Sequence, residues 1–417
     1  MNDILDVWLH GEELGELEKL RNGSMRLRFS GDAISRYGAG SRVLSLSIPV
    51  SAKRIEDAEL GTFIDGLLPE QGVRRALEHD FGLNPRDSFG LLRHIGAECA
   101  GAAQFTSHGT GPQQGFLRPL SNDEVDAMVQ ELPTLAPPDG LPITASLGGV
   151  QAKVLLTRTA EGWAWPAEGA ASTHIIKPEP IFDVAVPHLI ESEEWSLRLA
   201  RNAGLKAARA SLASFGGRKA IVVERYDRVD GQRRHQEDFT QALGVPTDNK
   251  YESSISNPTR LSQIAVVAGD EARDRSEFQV DLLRSVIFNV LIGNGDAHSK
   301  NYSLMIDEQG IFSMAPLYDT APVFLLNSGL HHSGHVLDGH VNLNYITRNH
   351  LERAAMGWGM RPALVRETVN STIDAVLAAT KTTVAGEGIE HVPGLVAARV
   401  ARFAATTSFL ISEQHAT

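Results

Sequence analysis

Val286–Asp319 reads VIFNVLIGNGDAHSKNYSLMIDEQGIFSMAPLYD, and its reading decides the fold. An apolar helical run (Val286, Ile287, Val290, Leu291) breaks at Gly293-Asn294-Gly295. Glycine after the last periodic residue is the usual helix stop. A polar loop follows, carrying Asp296, His298, Lys300 and Asn301. Two short β-like segments come next, Tyr302–Ile306 and Ile311–Met314, joined by the turn Asp307-Glu308-Gln309-Gly310. The stretch closes on Asp319. A buried hairpin with an Asp/Asn pair before it and a second Asp after it suits a magnesium-dependent phosphoryl-transfer site.

Working outward, composition narrows the classes. The chain has 417 residues, 42% apolar and 22% charged, an ordinary globular balance with room for two or three domains. A formal net charge of −12 argues against broad electrostatic contact with nucleic acid or anionic lipid. The single cysteine, Cys99, excludes an intrachain disulfide and a cysteine-rich zinc site, and points to a reducing compartment. The first residues, MNDILDVWLHGEELGE, lack a basic start and apolar core, and no apolar run is long enough to span a bilayer. A cytoplasmic enzyme is expected.

Upstream of the deciding stretch, phosphate-binding parts occur in a meaningful order. Ala145–Lys153 (ASLGGVQAK) sets the pair Gly148-Gly149 beside Ser146 and before the strand-like Val154-Leu155-Leu156. Glycines let backbone N–H groups approach phosphate oxygens, and Lys153 adds charge. His174-Ile175-Ile176-Lys177 is an apolar strand ending in lysine. A helix starting at Pro187 carries Glu191, Glu193 and Glu194 in its first turns, where acids are often mere dipole partners. Lys219–Arg225 (KAIVVER) is a β-branched strand leading into Tyr226-Asp227-Arg228. His235-Gln236-Glu237-Asp238 is read as the start of the next helix, and 244–260 as a polar loop. Glycine loop, strand lysine, helix glutamate, hinge, catalytic loop and metal aspartate follow the order of a bilobal kinase. The step from Asp296 to Asn301 is that of its D-x-x-x-x-N loop.

The first hundred residues read as a separate α+β module. Val7-Trp8-Leu9, Met25–Phe29 and Leu44–Val50 have strand patterning. Helical spacing follows at Phe63–Leu68, Val73–Phe81 and Leu91–Ile95. Gly/Pro/Ser-rich stretches at 107–115 and 132–142 read as linkers around a short helix at Asp123–Glu131. The expected organisation is an N-terminal subdomain (1–106), a linker region (107–142), a kinase N-lobe core (143–228) and a helical C-terminal lobe (229–417). The fold class is α+β: a bilobal protein-kinase-like fold with a β-rich N-terminal subdomain plus small helices. His331, His332, His335 and His340 are read as a solvated loop rather than a metal site.

Taken together, these residues resemble the HipA serine/threonine kinase toxins. The resemblance rests on Ser146-x-Gly-Gly-x-Gln-x-Lys153, His174-Ile-Ile-Lys177, Glu224-Arg-Tyr-Asp227-Arg, Gln236-Glu-Asp238 and Asp296-x-His298-x-Lys-Asn301 with Tyr318-Asp319. At the N-terminus, Val7-Trp-Leu-x-Gly11, Leu44-Ser-Leu-Ser47 and Phe63-Ile-Asp-Gly-Leu-Leu-Pro69 are similar to that family's first subdomain. The resemblance implies ATP and Mg2+, with Asp296 as base and Asn301 and Asp319 as metal ligands. It implies Lys177 as the phosphate-binding lysine and Glu193 as its carboxylate partner. Glu224 and Tyr226 would hold adenine, Asp227 and Gln236 would lie near ribose, His298 near the phosphates, and Ser146 would be autophosphorylated to silence the enzyme. It further implies a DNA-binding HipB-like antitoxin as partner, with DNA reached only through it, a protein substrate such as an aminoacyl-tRNA synthetase, and no membrane. Thr320-Ala321 stand where ordinary kinases have Phe-Gly. Two readings stand beside this one: a small-molecule kinase of the aminoglycoside or choline type, and an antitoxin-binding corepressor.

Overall fold

The computed structural model describes residues 3–56, 58–132, 151–180, 185–253 and 258–410. Ser146 and Gly148-Gly149 lie outside them. The chain divides into two compact units. The first comprises 1–178, 213–247 and 305–311; the second comprises 179–212, 248–304 and 312–417. The expected boundary at 228 therefore does not coincide with the division. The N-terminal module and the strands of the expected N-lobe core share one unit, and the helix after Pro187 belongs to the other.

The first unit contains two large antiparallel sheets and the small ribbon of Arg228–Val229 with Gln232–Arg233. One has the order Met25–Phe29, Glu12–Lys19, Asp3–Leu9, Ala103–Ser107. Its inward residues, Leu5, Val7, Leu9, Leu14 and Leu17, pack against Phe63, Leu67 and Leu91 from the helices Ala58–Leu67 and Ser88–Ile95. The second sheet has six strands, in order Phe116–Pro119, Gly162–Ala167, Val154–Thr159, His174–Pro178, Arg218–Glu224 and Ala210–Phe215. Val154, Leu156, Ile176, Ala220 and Val222 form its buried face with Val125 and Val129 of the helix Asn122–Glu131. That helix starts at a Ser121/Glu124 capping box.

Two expected elements differ. Leu44–Val50 alternates like a strand but forms no ladder; it holds only the bridge Ser45–Ile48. The backbone N–H of Leu46 instead donates to Glu237 Oε1 at 2.7 Å, and Ser45 Oγ to Glu237 Oε2 at 2.6 Å. The alternation records burial, since Leu44, Leu46 and Ile48 are all buried. Likewise His235–Asp238 is a strand, and the helix begins only at Phe239. Asp238 is its N-cap, accepting from Thr240 N and Gln241 N, so the polar run marks the cap rather than the first turn.

The second unit is mostly helical: Leu189–Asn202, Arg260–Asp270, Arg275–Ile292, Arg348–Gly357, Pro362–Thr380 and Val392–Ala405. Arg275–Ile292 is its core. Asp274 caps it through Ser276 N and Glu277 N, and from Leu282 onward nearly every position is buried. An all-round apolar helix needs an all-round cover. Arg399 of the last helix donates to Val290 O at 3.0 Å, satisfying a carbonyl near the helix end. Leu189–Asn202 starts two residues after Pro187 and buries Trp195, whose indole N–H donates to Thr383 O at 3.1 Å. His332–Leu337 and His340–Asn342 form a two-stranded ribbon rather than a solvated loop. His335 is buried within it because Glu252 lies 3.8 Å away and the Tyr302 ring packs on its edge.

Candidate active site

The polar loop of the second unit is built by the end of its core helix. Gly293 adopts the left-handed conformation (φ 74°) that stops Arg275–Ile292. Asn294 then locks the exit. Its N–H donates to Asn289 O at 2.8 Å, its Nδ2 to Asn289 Oδ1 at 2.8 Å, and its Oδ1 accepts from Asp296 N at 3.1 Å. Gly295 is required by close approach, since a Cβ there would stand 1.7 Å from Leu330 O. The chain thus presents Asp296 at a fixed point, its side chain 52% exposed while Ala297, His298, Ser299 and Lys300 are buried around it.

Asn301 returns to this point five residues later. Its Nδ2 donates to Asp296 O at 2.8 Å, which orients the amide. Asp319 lies near enough to act electrostatically on Asp296. Protein packed around the Asp296 carboxyl pushes it above its ordinary value. Asp319 adds repulsion, while a hydrogen bond from Tyr251 and the charge of Lys250 oppose the rise. Asp319 has a left-handed backbone (φ 52°), uncommon for a residue with a side chain. The preceding Tyr318 is fixed by Ser303 Oγ at 2.6 Å and by donation to Lys300 O at 2.8 Å. Among sequence-expected residues, the structure therefore brings Asp296, His298, Asn301 and Asp319 into one neighbourhood.

A divalent cation fits this donor set. A hard ion such as Mg2+ takes carboxylate and amide oxygens. Asn301 turns its nitrogen to a carbonyl, which leaves its oxygen as the acceptor side, and two carboxylates that repel each other are what a cation would relieve. His298 is not a cation here. Burial first, and Lys250 second, lower its imidazole to about 3. Its Nε2 is 3.7 Å from Asp296 Oδ1, and its buried Nδ1 has no hydrogen-bond partner among the described residues. It could meet a phosphate only as a neutral N–H donor.

The remaining expected residues, apart from Glu193, belong to the first unit. Lys177 is buried on His174–Pro178, opposite Ile221, with Ile176 opposite Val154. Lys153 is half-buried just before Val154–Thr159. Glu224 is exposed at the end of its strand, paired with His174. Tyr226 donates its hydroxyl to Gln236 Oε1, joining the expected hinge to the next strand. Glu193 is buried in the helix Leu189–Asn202 of the second unit.

Asp227 is the exception. Its carboxylate is 3% exposed and is taken by Arg225 Nε (3.0 Å), Arg225 Nη2 (2.8 Å) and Gly101 N (2.8 Å). The expectation that it is available for ribose is therefore corrected: its role is internal. It belongs to a buried network that sequence reading missed. Arg225 Nη1 donates to Glu98 Oε1 (2.9 Å) and Ser172 Oγ (2.7 Å), Arg228 Nη2 to Cys99 O (2.7 Å), and Arg233 also reaches Glu98. Tyr251 was missed as well. It lies in a loop read only as polar, yet its hydroxyl donates to Asp296 Oδ1.

With this geometry in place, known proteins can be compared. A model described as HipA-like C-terminal domain matches residues 145–383, and one described as HipA N-terminal domain matches 5–106. The chain belongs to the HipA family of kinases. It is 37% identical to the putative kinase Y4mE of Sinorhizobium fredii over 76% of each protein. It is 32% identical to the serine/threonine-protein kinase toxin HipA of Shewanella oneidensis, over 67% of this chain and 66% of that protein. The Shewanella oneidensis MR-1 HipA chain, solved in a complex with HipB and operator DNA, matches with a TM-score of 0.81 and 26% identity. That match covers 99% of this chain and 100% of the other. The α+β architecture is thus that of the HipA kinases. Among the described residues, no helix is long and apolar enough to cross a membrane.

Proposed function

We propose that the protein transfers the γ-phosphate of ATP, with Mg2+, to a serine or threonine hydroxyl of a protein. The observation that carries this is the loop itself: Asp296 exposed, Asn301 hydrogen-bonded back to it, and Asp319 acting on it, all on one rigid frame. Bound Mg2+ would neutralise charge on the transferring phosphoryl, held by the oxygens of Asn301 and Asp319. Asp296 orients the acceptor hydroxyl and takes its proton. Lys177 binds the nucleotide phosphates, with Glu193 as its carboxylate partner. Glu224, Tyr226 and Gln236 line the nucleotide base and sugar side, Lys153 adds charge to the glycine loop, and His298 donates to phosphate as a neutral imidazole. In this reading Ser146 is the autophosphorylation site, where about −1.5 to −2 units of new charge would repel nucleotide phosphates.

The name of the Shewanella relative supports a toxin, which in this reading acts in the cytoplasm beside an antitoxin. The Shewanella assembly supports a HipB-like partner, through which DNA would be reached. An aminoacyl-tRNA synthetase is the proposed kind of target. Brief expression of wild type and of Asp296→Asn, followed by phosphoproteomics, tests this. The expected result is one protein phosphorylated on Ser or Thr only with the wild type. Label passing from ATP to a small molecule and never to protein would refute it.

A further inference from the structure

The segment before the helix Arg260–Asp270 passes Tyr251 directly onto Asp296. The Tyr251 hydroxyl donates to Oδ1, and His298 Nε2 lies 3.7 Å from that same oxygen. The phenol ring is confined on two sides. It meets the His298 ring edge-to-face at 5.0 Å and the His332 ring at 5.4 Å. Its backbone is confined as well. On one side Ser299 N donates to Lys250 O at 3.0 Å, and on the other Glu252 N donates to Gly334 O at 2.9 Å. Glu252 is pinned in turn, its carboxylate accepting from Val336 N at 3.0 Å and Arg260 N at 3.2 Å.

A hydroxyl on the oxygen of a phosphoryl-transfer base can mean two things. It can be a plug occupying the acceptor's place, which must swing away before catalysis. Or it can be a fixed support that fills one carboxylate oxygen so the other is presented. A plug needs freedom to leave, and here the ring and both flanking peptides are held. The geometry points to Tyr251 as a positioning residue: it holds Asp296 by Oδ1 and turns Oδ2 to the acceptor hydroxyl. In the transfer, the acceptor oxygen bonds to the γ-phosphorus as its proton passes to Oδ2. The bond from that phosphorus to the bridging oxygen breaks, and ADP leaves with its electrons. Oδ1 keeps the Tyr251 hydrogen bond throughout. This rests on the reading of Asp296 as base.

Purified full-length wild type, Tyr251→Phe and His332→Ala, given Mg-ATP and casein, test it by label incorporated into the chain and the casein. Phenylalanine keeps the ring contacts and removes only the hydroxyl. Tyr251→Phe is expected to lower the maximal rate about 10- to 100-fold, with half-saturating ATP changed by less than about 2-fold and an unchanged melting temperature. His332→Ala loosens the ring and is expected to lose rate to a smaller degree. A Tyr251→Phe or His332→Ala rate at or above wild type overturns the proposal and favours the plug. Loss of ATP affinity and melting temperature together with rate also overturns it. Wild type that labels nothing would overturn the kinase reading itself, and this proposal with it.

Discussion

The side-chain nitrogen of Asn301 donates to the main-chain oxygen of Asp296 across 2.8 Å. One amide thus ties the two ends of the loop and faces its oxygen the other way. Asn301→Asp would set a carboxylate oxygen against a carbonyl oxygen and open the tie. Phosphate transfer is expected to fall by at least about 100-fold, because a small misplacement of reacting groups is that costly. A steady-state rate measured beside a circular-dichroism melt checks that the loss is not unfolding.

Gly295 carries a stability prediction. An alanine Cβ there would overlap Leu330 O at 1.7 Å, a backbone atom that cannot rotate away. Gly295→Ala should destabilise the protein by about 2–4 kcal/mol and lower its activity. Gly357, a helical glycine with open space around it, is the control, and Gly357→Ala should leave stability unchanged or raise it by up to about 1 kcal/mol. Denaturant midpoints decide between them.

Glu98 predicts an acid limit. Burial alone would raise its carboxyl, but Arg228, Arg225 and Arg233 outweigh burial and hold it below its ordinary value; Asp227 is lowered likewise by Arg225 and Arg228. A lowered folded value means stability that is present above the unfolded carboxylate range and lost as pH falls below about 4. Glu98→Gln leaves Arg225 and Arg228 with Asp227 alone and takes from Arg233 the carboxylate it reaches. Removing one partner of a buried ion pair costs about 3–5 kcal/mol. Melting temperatures at neutral pH should fall for this variant, and its further loss between pH 5 and 3 should be shallower than wild type.

The fold was legible wherever periodicity and punctuation agreed. Gly293 after an apolar run marked the helix end, Val154–Leu156 and Lys219–Arg225 marked central strands, and Met25–Phe29 alternated as an antiparallel strand does. That Asn301 folds back on Asp296 was legible because the two stand five residues apart on one loop. What stayed hidden is long-range. Leu44–Val50 spends a backbone N–H on Glu237, 191 residues away, and so is no strand. Asp227 looked available because Glu98 and Gly101, which define its surroundings, lie over 120 residues upstream. Tyr251 reaches Asp296 across 45 residues, and no spacing rule announces that.

The central claim is that Asp296 and its loop transfer phosphate from ATP. The most direct measurement incubates purified wild type and Asp296→Asn with γ-labelled ATP and Mg2+ and follows label on protein. The Asp296→Asn change keeps shape and removes the charge. Label on serine or threonine with wild type, and none with Asp296→Asn at an equal melting temperature, is the predicted result. Undiminished labelling by Asp296→Asn would contradict the account.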